Sequence, residues 1–378
     1  MNFELDTEQD LLRKTVRDVL SGTYDTETRN KVADTDRGWS DEVWRQLAEL
    51  GVLGLPFAEE HGGMGAGPVE IMAVMGEIGR ALAPEPLLNA VFLPGGVVAE
   101  VGTDEQRADL LPRLSEGALL LAFAHDEPGS RWPATEVATT AARTGDAWAL
   151  TGRKNPVLHG DCAETFVVSA RLPEGGVGLF LVDADAAGVT RTAYRTHDER
   201  RAAQLVLDSA AAVPLGAAAD ATAAITAAQV RAQAALCAEA VGALAETLRL
   251  TTDYLKQRKQ FGAPLARFQA LTHRAADMYV LLELASSMSL YATMALADGI
   301  VDPTIASRAK LQVGRSARKV GQEAIQMHGG IGITAEYPVG HYVSRLTAIE
   351  HTLGTVEDHV RILAGAVADH DRIEVAGM

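Results

Sequence analysis

The stretch ADATAAITAAQVRAQAALCAEAVGALAETLRLTTDYLKQ, residues 219–257, decides the fold class. It contains no proline and is dominated by alanine, which loses least on entering a helix, so it reads as one long helix. Two or more long helices follow between Phe268 and Met327, interrupted near Asp302-Pro303. Upstream the texture differs. Ala138-Thr139-Thr140-Ala141, Trp148-Ala149-Leu150, Thr165 to Ser169 and Gly178 to Val182 are short β-branched or aromatic runs. Gly145-Asp146 and Glu174-Gly175-Gly176 mark turns between them, which reads as antiparallel strands. Before these the chain is helical again. Asp6 or Thr7 can cap a helix carrying Leu12, Val16, Val19 and Leu20 on one face. A second helix starts at Ser40, carries Val43, Trp44, Leu47 and Leu50, and stops at Gly51. The expected class is α+β, mostly α, with an N-terminal helical domain at 1–118, a β domain at 119–217 and a helical bundle at 218–378.

Bulk properties narrow the function. A net charge of −16 opposes nucleic-acid binding, because phosphates reward Lys/Arg surfaces. No run is read as approaching the roughly 20 apolar residues of a membrane span, so no membrane partner is expected. The charged opening MNFELDTEQDLLRK and only two cysteines, Cys162 and Cys237, in no metal spacing, lead us to expect a cytoplasmic protein.

Two segments stand out. Tyr254 to Leu265 reads YLKQRKQFGAPL and is followed by Phe268-Gln269. Lys256, Arg258 and Lys259 either complement the negative end of the long helix, or Arg258 offers a planar fork to a phosphate and Phe261 a flat face to a purine. Gln326-Met327-His328-Gly329-Gly330-Ile331-Gly332 either stops a helix or lets a ligand approach bare backbone. Neither is a P-loop or a dinucleotide fingerprint, since neither joins a strand to a helix.

Taken together, these segments resemble the acyl-CoA dehydrogenase family. The likeness extends over nearly the whole chain. It includes Phe3-Glu4-Leu5-Asp6-Thr7-Glu8-Gln9, the Pro56 to Gly65 turn, Trp148-x-Leu150-x-Gly152-x-Lys154, Arg258-x-Gln260-Phe261-Gly262, His328-Gly329-Gly330 and Glu336-Tyr337-Pro338-Val339. The resemblance implies the family's fold: an N-terminal helical domain, a middle antiparallel β domain and a C-terminal four-helix bundle. It also implies FAD lying across a subunit interface, with the adenine and pyrophosphate contacts matching Arg258, Gln260, Phe261, Gln269, Gln326, Gly329, Gly330 and Thr355. Electron-transfer flavoprotein is the implied electron acceptor.

At the other end of the site the pattern fails. Family members remove the acyl-CoA α-proton with a glutamate, usually in a Glu-Gly-Thr step. Here that step is Leu353-Gly354-Thr355, and the alternative position, early in the long helix, is Ala232. Glu350 and Glu357 are the nearest substitutes, each a few residues away and otherwise readable as solvated helix charges. The family's flavin-covering Lys-x-Trp-Ile-Thr-Asn has become Lys154-Asn155-Pro156-Val157-Leu158-His159. Its Thr-Glu-Pro-Gly loop has become His125-Asp126-Glu127-Pro128-Gly129-Ser130. His125 and His159 read as structural turn histidines. The expected function is therefore the base-lacking subunit of an α2β2 acyl-CoA dehydrogenase, similar to the small subunit of pimeloyl-CoA-type or steroid side-chain enzymes. A catalytic partner subunit would hold the flavin ring and the acyl-CoA. A self-sufficient homotetramer with another base, and a flavin-free structural protein on the same fold, are the alternatives.

Overall fold

Capping chemistry sets the helix boundaries. In a computed structural model that describes residues 5–367, α1 (Thr7–Thr23) begins where Asp6 accepts from the Gln9 amide and the Gln9 side chain accepts from the Asp6 amide. Asp25 caps α2 (Thr26–Ala33), a helix absent from the sequence reading because it buries only Arg29 and Ala33 and shows no apolar stripe. Ser40 caps α3 (Asp41–Glu49), and left-handed Gly51 follows its end. Then come α4 (Pro68–Ala81), a π-helical turn over Leu87–Phe92 that runs into α5 (Leu93–Val101), and α6 (Asp104–Ser115). Of the family-like opening segment, Phe3 and Glu4 lie outside the described residues, as does 368–378 of the last predicted domain.

Seven strands follow: β1 (Leu121–Ala124), β2 (Thr140–Thr144), β3 (Ala147–Leu158), β4 (Thr165–Arg171), β5 (Val177–Asp183), β6 (Val189–Arg195) and β7 (Arg201–Pro214). Pairings β2–β3, β3–β7, β7–β5, β5–β4 and β6–β7 are antiparallel. Contrary to the all-antiparallel expectation, β1 pairs with β4 in parallel, and β2 touches β4 in parallel at Thr140–Arg171. The β2–β3 hairpin lies between β1 and β4 in sequence and returns the chain to the same edge in the same direction. The pairings close on themselves around Trp148, Phe166, Phe180 and Leu205.

The third unit begins with α7 (Thr222–Gln257), then the short hairpin β8 (Lys259–Gln260) and β9 (Ala263–Pro264). α8 (Gln269–Ala297), α9 (Pro303–His328), α10 (Pro338–His351) and α11 (Val356–Ala366) complete it. α4 lies directly on α7. A Cβ on Gly79 would sit 1.8 Å from the Glu239 carbonyl oxygen, and one on Gly242 would sit 1.9 Å from that of Gly76. Only glycine permits that approach. One expectation needs correction here. Among the described residues α8 is long and apolar enough, by length and composition, to cross a membrane. One side of it packs on α7 and α9, while Tyr279, Val280, Leu284 and Tyr291 are exposed.

Three chain regions meet at one buried ion network. Arg345 of α10 clamps Glu239 of α7 through Nε (2.7 Å) and Nη2 (2.8 Å), and its Nη1 donates to Asp198 of the β6–β7 turn (2.8 Å). Arg200 donates to Glu239 (2.9 Å) and to the Ala83 carbonyl beyond α4 (2.9 Å). Burial alone would raise both carboxyls, but Arg345 and Arg200 hold Glu239 below its ordinary range and bring Asp198 to about 2. Removing Arg345 leaves two buried carboxylates to share Arg200 alone. Arg345→Met should therefore cost about 3–5 kcal/mol of stability, the range for breaking a buried pair. Urea unfolding of the variant checks this; a loss below about 1 kcal/mol, the value of a surface pair, would refute the role.

Candidate functional site

Where α10 ends is fixed from beneath. Lys310 of α9 is buried, and its Nζ donates to the Ile349 carbonyl at 2.6 Å, placing an ammonium at the negative end of the helix. Burial pushes that ammonium down to about 8, so it remains charged at neutral pH. The chain then turns through Leu353 and Gly354, both with positive φ (55° and 97°). The Leu353 carbonyl accepts from Gln233 Nε2 (2.9 Å) and His359 Nε2 (3.1 Å), which holds the leucine in its strained conformation. Trp132, from the loop after β1, seats on Gly354, where an added Cβ would fall 2.6 Å from Cδ1. Arg361 Nη2 donates to the Trp132 carbonyl (2.9 Å) and keeps it there.

Thr352 and Leu353 of this turn line a cavity of about 40 Å³. Leu353 and Ala232 both line it, so the two positions at which the family-like pattern expects a base face one space, and neither is titratable. Pro156 and Leu158 of β3, Phe123 and His125 complete much of the wall. Small-molecule sites occupy roughly 300–1,000 Å³. The space does not end there: an opening of about 550 Å³ adjoins it and shares Leu88, Leu93 and Ala232. What the wall lacks is a hydroxyl at 158, where Leu158 stands.

The histidines are structural. His125 stacks on Phe123 (5.5 Å), and its Nδ1 lies 2.9 Å from Ser169 Oγ. Burial, then the charge of Lys154, pushes it down to about 4. His159 (φ 53°) lies 3.3 Å from Asn89 Nδ2, and burial with Arg200 and Arg345 nearby pushes it to about 3. Neither takes a proton at neutral pH. Glu350 and Glu357 differ from each other. Glu350 is not a solvated charge: it is 4% exposed, faces away from the cavity, and accepts from Arg318 Nη2 (3.2 Å) and the Val356 amide (3.0 Å). Glu357 is exposed and pairs with Arg318 (3.3 Å).

Asp126 is the one carboxylate lining the cavity, and it was not singled out from the sequence. Burial raises its pKa against the pull of Lys154. The available signal was an aspartate at the place where the resembling loop has threonine. Next to it, buried Lys154 donates to Glu127 Oε1 (2.8 Å), Ser169 Oγ (3.1 Å) and the His125 carbonyl (3.1 Å), while Glu127 also accepts from Ala138 and Thr139.

A second group of residues lies on the surface. The hairpin Arg258 to Leu265 turns at Phe261 and Gly262, both with positive φ, a two-residue turn in which phenylalanine is strained. Phe261 is 92% exposed and meets Phe268 edge-on at 6.2 Å, next to Gln269 at the start of α8. Arg258 and Gln260 are exposed as well, and Arg258 has no ion-pair partner among the described residues. Tyr254, one turn before Arg258, stacks on His328 (4.6 Å), so the end of α7 is joined to Gly329 and Gly330 at the end of α9. Both glycines face open space. Gln326 lines a groove of about 480 Å³ between α9 and α10. Thr355 is not in this group: it caps α11 with Asp358, two residues from Leu353. An exposed guanidinium, a flat ring and bare backbone are chemistry suited to a phosphate and a purine.

Comparison with known proteins follows the same outline. Family models described as the acyl-CoA dehydrogenase N-terminal, middle and C-terminal domains match residues 6–118, 122–210 and 222–368. The acyl-CoA dehydrogenase FadE12 of Mycobacterium tuberculosis is 33% identical over 79% of this chain and 81% of its own. A solved chain of a variant of the Tcur3481-Tcur3483 steroid ACAD is 33% identical, with TM-score 0.87 over 96% of this chain and 98% of that one. A chain of the ChsE4-ChsE5 complex from Mycobacterium tuberculosis is 26% identical, with TM-score 0.90 over 98% and 100%.

The Lys154–Glu127 pair gives a pH test of the loop that walls the cavity. Burial would raise Glu127, but the hydrogen bonds from Lys154 and Thr139 override it and bring the carboxyl to about 2, against an ordinary 4.5. A folded value below the unfolded one contributes stability above about 4.5 that is lost as pH falls towards 2. Glu127→Gln should cost about 1–2 kcal/mol at pH 7 after solvent screening, and the gap to wild type should narrow below pH 4.5. Thermal unfolding across pH 3–7 checks this; a gap independent of pH would contradict the assignment.

Proposed function

The chain belongs to the acyl-CoA dehydrogenase family, and we propose that it is the subunit of a two-chain FAD-dependent enzyme that lends the cofactor's adenine and pyrophosphate contacts to a catalytic partner. One observation carries the reading. Ala232 and Leu353 face the same cavity and neither can take a proton, so both base positions are empty on the side where Pro156 and Leu158 give a flavin ring no support. The Arg258, Phe261, Gly329 and Gly330 surface, by contrast, is exposed and open. The solved Tcur3481-Tcur3483 and ChsE4-ChsE5 proteins are named as pairs, which supports an α2β2 assembly here.

FAD, when bound, supplies hydride acceptance. The residues of this chain bind and exclude. Arg258 would hold a phosphate through its fork, Phe261 and bare backbone at 329–330 would meet the adenosine half, and Leu353 puts an apolar side chain where a base would stand. Removal of an acyl-CoA α-proton needs an acceptor within hydrogen-bond reach, and a leucine offers none. That step is assigned to the partner's glutamate, with electron-transfer flavoprotein as the electron acceptor. Asp126 favours a second reading, a self-sufficient enzyme, because it is a cavity-facing carboxyl with a raised pKa. The exposed phosphate fork weighs against a flavin-free structural role.

Co-purified with a family member that retains the glutamate, the chain separates these readings. Asp126→Asn should change dehydrogenation of an acyl-CoA by less than about tenfold, whereas partner glutamate to Gln should cost about 10²–10⁴-fold. A thousandfold loss in Asp126→Asn with FAD retained would place the base in this chain. Arg258→Ala should weaken FAD retention by about 1.5–3 kcal/mol, with Arg258→Lys restoring only part. Unchanged flavin content in the alanine variant would refute the phosphate contact.

A further inference from the structure

Away from both surfaces, a cavity of about 350 Å³ opens between α1, α2, α4, α7 and α10. Four arginines line it: Arg17, Arg29, Arg80 and Arg249. Its acids are already committed. Arg17 holds Glu77 through two bonds (2.9 and 2.7 Å), and Arg249 holds Glu246 in the same way. Asp25 accepts from the Thr28 amide as the cap of α2.

Two guanidiniums keep a buried Nε without a hydrogen bond, although Arg80 lies near two carboxylates and Arg29 Nη1 donates to Asn30 Oδ1 (3.2 Å). Arg80 Nε is 3.4 Å from Glu77 without hydrogen-bond geometry, its Nη1 is 3.8 Å from Glu246, and the buried Nε has no partner. Arg29 is 6% exposed. Its one ion pair, to half-exposed Glu199, is 3.9 Å long, and its Nε is also buried without a partner. Burial lowers the Arg29 pKa, the direction expected of a cation short of compensation. Each guanidinium leaves a buried N–H donor without an acceptor among the described residues, which an anion in the cavity would supply.

We propose that this cavity binds a small phosphate-bearing metabolite, with the phosphate oxygens taken by Arg29 and Arg80. Planar guanidiniums match phosphate in pairs of parallel hydrogen bonds. The volume is near the lower end of small-molecule sites, larger than a bare anion requires. Leu20, Leu82 and Leu250 give an apolar wall for a short organic body. The site lies where N-terminal and C-terminal helices meet, so occupancy would stabilise the fold by mass action. It is independent of the redox role.

The test is thermal unfolding and calorimetry of the full chain with inorganic phosphate and with glycerol 3-phosphate, each against chloride at matched ionic strength. The expected result is a saturable rise in Tm with both, stronger for the monoester. Arg29→Gln and Arg80→Gln should each weaken binding about tenfold or more, as expected for losing a charge-assisted bond. Arg80 is partly exposed, so its variant keeps the test valid should the Arg29 variant fail to fold. Equal affinities for the two anions would make free phosphate the ligand of the same arginines. No shift beyond chloride, or the same shift in wild type and in Arg80→Gln, would overturn the proposal.

Discussion

The elements that carry the cavity wall are tied together by one buried ion network, Arg345 with Glu239, Asp198 and Arg200. Bringing four charges out of water is costly, and their mutual attraction offsets that cost only in this geometry. The geometry ties α7, α10 and the β6–β7 turn together. Ala232 lies two helical turns before Glu239 on α7, and Leu353 follows two turns after Arg345 at the end of α10. The β3 wall pairs with β7, which starts next to Arg200. The cavity is therefore held by the network whether or not it performs chemistry, which explains how the fold persists while both base positions are empty.

Strain is placed at the two ends of the same divided site. Leu353 is forced to positive φ and compensated by Gln233 and His359 on its carbonyl, within this chain. Phe261 is also at positive φ, but it is almost fully exposed, with Phe268 edge-on beside it. The first strain is satisfied internally; the second lies on an open surface, which suits the proposed contact with a partner-held cofactor.

Much of this was legible from sequence because it rests on local chemistry. Alanine content gave the long helix now seen at Thr222–Gln257, and Pro303 opens α9 next to Asp302 because proline suits a first helical turn. The mostly helical class with a β unit in the middle followed from the same reasoning. Counting along the family-like pattern led to Ala232 and Leu353, which lie far apart in sequence and share one cavity. Non-local facts escaped. The parallel β1–β4 pairing depends on a crossover, and burial of Glu350 depends on Arg318 from a different helix. Asp126 becomes notable only once β1 and β3 bring it beside Pro156, and the surplus arginines only once five helices meet. The apolar length of α8 was underestimated because its polar residues are scattered along it rather than grouped.

The most direct test of divided flavin binding is to count FAD in the purified chain alone and in its complex with a glutamate-bearing family member. The account predicts little flavin in the lone chain, because Pro156 and Leu158 leave the ring without its usual support, and about one FAD per pair of chains in the complex. Full yellow occupancy of the lone chain, one FAD on each copy, would contradict it.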